Sequence, residues 1–135
     1  MTKVDCILLV DDDNASNYLN TIILEKMEVA GKIDSVYSGP EAIEYLSQAS
    51  QGKFPYPDLL LLDVNMPGMS GFQMLEKLQQ IPEVKMDATR IIFLSSSEDE
   101  RDKAAAMKFN VAGYIAKPLN YHKLENVLEQ SAQKR

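Results

Sequence analysis

No tryptophan occurs in this 135-residue chain, and cysteine and histidine occur once each, as Cys6 and His122. A single thiol excludes a disulfide framework or a thiolate metal site within the chain. Cys6 lies inside an apolar run and reads as a plain buried thiol. Basic charge is also scarce: 14 Lys and Arg against 20 Asp and Glu leave a formal charge of −6. That balance argues against a broad electrostatic grip on nucleic acid. Long apolar stretches are missing as well. The first one meets acid after five residues, too short for a signal-peptide core, and none approaches the ~20 residues of a membrane span. The expectations are no membrane role and a cytoplasmic location. Neither a repeat nor a low-complexity tract divides the chain, so residues 1–135 read as one domain with no output domain. At this length roughly two thirds of the unfolded surface can be buried without a covalent staple.

What the sequence does contain is an alternation of two periodicities. Residues 6–10, 59–62 and 91–94 are short continuous apolar runs, the pattern of central parallel strands covered on both faces. Residues 33–37 and 111–116 are less apolar and are expected at the edges. Between them, helical spacing joins Leu19, Ile22, Ile23 and Met27, then Ala42, Ile43 and Leu46, then Met74, Leu75 and Leu78, and finally Leu124, Val127 and Leu128. Capping signals agree: Ser38 with Glu41 and Ser97 with Glu100 form S-x-x-E boxes, Asn120 can cap the last helix, and Asn110 can end the helix before it in a left-handed conformation. Residues 50–57 read as a somewhat long loop. Five strands and five helices joined by right-handed crossovers make a doubly wound α/β sheet.

In such a sheet, ligands bind outside the carboxyl edge of the strands. Polar residues stand where the apolar runs stop: Asp11 and Asp12, Asp63, Ser95 and Lys117. Carboxylates, a hydroxyl and one lysine suit a divalent cation and a phosphoryl group. A carboxylate can attack phosphorus to give an aspartyl phosphate, although Asp63 taken by itself reads equally as a capping or turn aspartate after a strand. The adduct brings roughly −1.5 to −2 charge, and each unit repulsion at ~4 Å costs ~4 kcal/mol at an effective dielectric of ~20. Beside Asp11 and Asp12 it needs a counter-charge, and Mg²⁺ supplies one through a few protein oxygens and bridging phosphate.

Five motifs in order, Val10-Asp11-Asp12, the segment from Asp63 through Val64, Asn65, Met66, Pro67, Gly68, Met69 and Ser70 to Gly71, then Ser95, Tyr114 and Lys117-Pro118, resemble the receiver domain of two-component response regulators. The similarity covers nearly the whole chain. It implies the flavodoxin-like strand order 2-1-3-4-5 and a phosphoacceptor aspartate at Asp63, served by a histidine kinase or histidine phosphotransfer protein. It further implies Mg²⁺, with Mn²⁺ as an alternative, held by Asp12, Asp63 and the main-chain carbonyl of Asn65, with Asp11 acting through water. Lys117 and Ser95 would contact phosphoryl oxygens, and Tyr114 would be the switch aromatic. Asn65 and Ser97 correspond to positions that tune dephosphorylation. The Lys117-Pro118 bond is expected to be cis by the same resemblance. Output is expected through the face made by the fourth helix, fifth strand and fifth helix, toward a target protein or a second copy of the chain.

The same residues admit other readings. A calcium loop starting at Asp11 fails, because Ala15 and Ser16 stand at a ligand position and at the required glycine, and Ile22 replaces the closing glutamate. Asp13 reads as a helix N-terminal residue favoured by the macrodipole. A haloacid dehalogenase-type phosphohydrolase expects a second acid two residues after the nucleophile, where this chain has Asn65, and usually a cap domain, for which there is no room. A non-phosphorylated pseudo-receiver acting as a binding module is disfavoured because the chemical positions are filled. His122 reads as a solvated surface residue rather than a phosphotransfer group.

Overall fold

The computed structural model describes residues 4–96 and 100–133. Its elements run β1 (Val4–Val10), α1 (Asn14–Met27), β2 (Ala30–Val36), α2 (Gly39–Ser50), β3 (Leu59–Asp63) and α3 (Gly71–Gln79). A short 3-10 turn at Met86–Ala88 then leads to β4 (Arg90–Ser95), α4 (Glu100–Ala106), β5 (Gly113–Ala116) and α5 (Tyr121–Gln133). The strands form one sheet in the order β2-β1-β3-β4-β5, and each neighbouring pair is parallel.

Strand parity explains why the central runs are apolar throughout. Leu8, Val10, Leu60, Leu62, Ile91 and Phe93 belong to one core cluster, with Leu46 of α2, Met74, Leu75 and Leu78 of α3, and Ala106 of α4. Their chain neighbours Ile7, Leu9, Leu59, Leu61, Ile92 and Leu94 enter a second cluster with Leu24 of α1 and Leu124 and Leu128 of α5. Each strand residue thus loses its side chain to one helical layer or the other, at about 1.5–3 kcal/mol of stabilisation per fully buried aliphatic group.

The edge strands are where pattern and structure part. Residues 33–37 were expected as the second strand, yet β2 starts at Ala30 and ends at Val36, because an edge strand needs only β1 for its ladder and tolerates Lys32 and Asp34. The other edge, β5, is shorter than residues 111–116 and begins at Gly113. Asn110 does not take the left-handed conformation. The chain leaves α4 through tight bonds from Lys108 N–H to Ala105 and Phe109 N–H to Ala106, and the only non-glycine residue with positive φ among those described is Glu28, at 54°, closing α1. Asp13 caps α1 by accepting the Ala15 N–H, and Asn120 Oδ1 caps α5 from Lys123 N–H at 2.9 Å. Ser38 Oγ accepts from Glu41 N–H, but the Glu41 carboxylate accepts from Tyr37 rather than closing the box on Ser38. The Ser97–Glu100 box and Ser97 itself lie outside the described residues. Cys6 is 1% exposed, and burial pushes its thiol pKa up, so it is an inert core group as expected.

Candidate functional site at the carboxyl edge of the sheet

The order of the strands brings the polar ends together. Asp63 is the last residue of β3 and is held in register with Leu94 of β4; Ser95 is the last residue of β4 and is held in register with Ala116 of β5. Both are inside their strands rather than after them, which fixes their main chains in the ladder. Lys117 follows β5 directly, and its N–H donates to the Ser95 carbonyl at 2.7 Å. Its peptide bond to Pro118 is cis. The ammonium of Lys123, one turn along α5, donates to the carbonyls of Ala116 and Pro118 and so closes the loop that carries Lys117.

Asp11 and Asp63 are 4% and 6% exposed, whereas Asp12 faces solvent. One carboxylate oxygen from each of Asp11, Asp12 and Asp63 lies within 4.8 Å of the others. Lys117 Nζ donates to Asp11 Oδ2 at 2.8 Å and stands 3.6 Å from Asp63 Oδ1. Asp11 Oδ1 also accepts the Asp13 N–H at 2.9 Å. One lysine cannot balance three acids. Burial, and then the charge of Asp11, raises the Asp63 pKa from 3.8 to about 6; Lys117 opposes the rise, Asp12 adds to it, and the Asn65 N–H opposes it again. Burial would lower the Lys117 pKa, but its contacts with Asp11 and Asp63 outweigh this and raise it. The donor set is all hard oxygen, gathered around an uncompensated negative charge, and fits a small divalent cation.

The remaining expected positions are arranged as follows. Asn65 is exposed two residues after Asp63, and Ser95 is fully buried. Tyr114 is half-buried on the edge strand and packs against the cluster containing Phe93. His122 is exposed and stacks edge-on with Tyr121. Two features were not anticipated: a capping box in which Ser70 and Gln73 satisfy each other's N–H groups at the start of α3, and the buried Asn17 of α1. S-x-x-Q was readable as a box in the sequence, whereas the burial of Asn17 had no local signal.

Gly71 opens α3 with its N–H on the Val64 carbonyl. A Cβ there would lie 2.5 Å from the Asp63 carbonyl oxygen, a main-chain atom that cannot yield without moving the site. Gly71→Ala is therefore expected to cost ~1–3 kcal/mol through overpacking. Urea unfolding measures this, and a change of under a few tenths of a kcal/mol would show that the loop adapts.

Comparison with known proteins gives one consistent result. Residues 7–129 match the response regulator receiver domain family. The chain is similar to the nitrate/nitrite response regulator NarL of Escherichia coli K12, at 34% identity over 93% of this chain and 54% of NarL, so it spans about half of that relative. It is similar in structure to a two-component response regulator from Cytophaga hutchinsonii, with a TM-score of 0.86, 34% identity and coverage of 97% and 98% of the two chains. The phosphorylated cyanobacterial phytochrome response regulator RcpA aligns at TM-score 0.72 and 29% identity, over 96% of this chain and 91% of its own. By its fold, by its acidic cluster and by these matches, the chain belongs to the response regulator receiver domain family, whose members are phosphoacceptors in signalling.

Proposed function

We propose that Asp63 is the phosphoacceptor and that, in the cytoplasm, it takes its phosphoryl group from a histidine kinase or histidine phosphotransfer protein. The observation carrying this reading is the position of the Asp63 carboxylate: 6% exposed at the end of β3, among Asp11 and Asp12, with Lys117 3.6 Å away. In the transfer, an Asp63 oxygen forms a bond to phosphorus with its own electron pair. The phosphorus–nitrogen bond of the donor histidine breaks, and its bonding pair leaves on the imidazole nitrogen. Mg²⁺, or Mn²⁺ in its place, when held by Asp12, Asp63 and the Asn65 main-chain carbonyl with Asp11 through water, supplies the positive charge that offsets the acids. Lys117, already resting between Asp11 and Asp63, and the Ser95 hydroxyl then hold two phosphoryl oxygens.

Asn65 and Ser97 set how easily water reaches the adduct, and neither offers a carboxylate to activate it. The protein assists its own phosphorylation and dephosphorylation without turning over an external substrate. Tyr114 reports the state of Ser95 to the surface formed by α4, β5 and α5, which meets a downstream target or a second copy. Incubation with acetyl phosphate and Mg²⁺, read by intact mass, tests the reading. One phosphoryl adduct per chain is expected, absent without the metal and much reduced in Asp12→Ala. Turnover of many phosphomonoesters without an adduct would favour a phosphohydrolase, and no change at all a pseudo-receiver.

A further inference from the structure

Asn17 lies one turn into α1 and is 2% exposed. Its Nδ2 donates to two carbonyl oxygens, that of Asp11 at 2.9 Å and that of Val36 at 3.3 Å. The Val36 carbonyl also accepts the Asp11 N–H at 3.3 Å, so one side-chain amide spans the ends of β1 and β2. The orientation follows from the partners, because turning the amide over would set its oxygen against two others. Among the described residues nothing donates to Oδ1. A buried polar side chain with one end unsatisfied is a poor choice for a helix stripe that a leucine could fill. Its two donated bonds point to the carbonyls it holds, that of Asp11 first.

That carbonyl belongs to the peptide linking Asp11 to Asp12. The Asp11 carboxylate is already held by Asp13 N–H and Lys117 Nζ, and the Asn17 amide fixes the plane from which both carboxylates project. We propose that Asn17 is a positioning residue for the acid pair and thereby sets its affinity for a divalent cation, acting through Asp11 without touching the ion. The proposal rests on reading the acid cluster as the cation site.

Asn17→Leu keeps the branched shape, in a somewhat larger side chain, and removes the donor. Partners that orient metal ligands typically carry 10–100-fold in affinity, so the Mg²⁺ Kd from NMR titration should rise by ~10-fold or more. In the metal-free protein, exchange of the Asp13 N–H, which donates to Asp11, should accelerate measurably, with core amides such as Leu8 and Leu61 unchanged. Asn17→Asp, which faces the two carbonyls with acceptors, should lose more. A folded Asn17→Leu with wild-type Mg²⁺ affinity and wild-type Asp13 exchange overturns the proposal. If neither variant folds, the wild type decides: the Asn17 side-chain NH₂ must be protected from exchange and shift on Mg²⁺ addition, and rapid exchange there refutes the assignment. Failure of the underlying reading looks different, as no Mg²⁺-dependent shifts at residues 11–13 in the wild type, while the Asp13 exchange measurement still judges the hold of Asn17 on the acid pair.

Discussion

Asp63→Asn is expected to make the metal-free protein more stable at neutral pH while abolishing phosphoryl uptake. Burial and Asp11 raise the Asp63 pKa from 3.8 to about 6, so the folded state binds this proton more tightly than the unfolded chain does. The favourable contribution of the protonated form is complete below about 4 and is lost as pH rises through about 6. Above that, the ionised carboxylate destabilises the fold by roughly 2–3 kcal/mol, from ~1.36 kcal/mol per pKa unit. The amide removes this charge. Denaturant unfolding in a chelator should therefore find Asp63→Asn about 2 kcal/mol more stable than wild type at pH 7.5, with the difference closing by pH 4. Saturating Mg²⁺ should narrow the gap at neutral pH, since a ligand of the native state alone stabilises it by mass action. An Asp63→Asn variant that is less stable than wild type at pH 7.5 without metal would show that Lys117 outweighs the acids, and would remove the electrostatic basis of the site.

Phosphorylation is expected to produce a large surface response that fails when its contacts are cut. Two charge-assisted hydrogen bonds, from Ser95 and Lys117 to the phosphoryl group as proposed, would supply ~1.5–3 kcal/mol each. Their sum of ~3–6 kcal/mol stands against the ~5.5 kcal/mol that moves an equilibrium from 1:99 to 99:1. Lys117 must leave Asp11, where it sits at 2.8 Å, and its loop is tied by Lys123 to the start of α5, so its movement carries into α5. Ser95 is the end of β4, and its register partner Ala116 lies two residues from Tyr114 on β5. With a beryllofluoride mimic, amide shifts should be largest around Asp63 and then across residues 96–121. Ser95→Ala, or Lys117→Arg with its bulkier planar cation, should keep the shifts near Asp63 and lose several-fold of those on α4, β5 and α5. Shifts confined to residues 11–13 and 63–71 in the wild type would refute this route and favour recognition at the phosphorylation site itself.

The parts of the molecule legible in the sequence are those whose burial leaves a local mark. β1, β3 and β4 are covered on both faces, so their runs are apolar at every position, and the polar residues ending those runs identify Asp11, Asp12, Asp63 and Ser95 directly. β2 was misplaced by three residues at its start because an edge strand carries no such run. The clamps that hold the site were not legible. Asn17 reads as one more polar residue of a surface helix until β2 passes beneath it; at the opposite edge of the sheet, away from the site, Asp58, whose carboxylate accepts the N–H groups of Asp5 and Cys6, likewise reads as a loop acid. Both act across the fold on main-chain groups, and main-chain groups leave no trace in a sequence. Asn110 had the composition of a left-handed helix end, but the bonds at Lys108 and Phe109 close α4 without one.

The central claim, that Asp63 receives the phosphoryl group, is tested most directly by reducing the phosphorylated protein with borohydride, which converts an acyl phosphate at aspartate to homoserine. Trypsin leaves Asp58 and Asp63 together in the peptide of residues 54–77, and tandem mass fragmentation of that peptide tells the two positions apart. Homoserine at position 63, dependent on both acetyl phosphate and Mg²⁺, is the predicted result. Homoserine at Asp11, Asp12 or Asp58, or a borohydride-resistant phosphate on a serine, would contradict it.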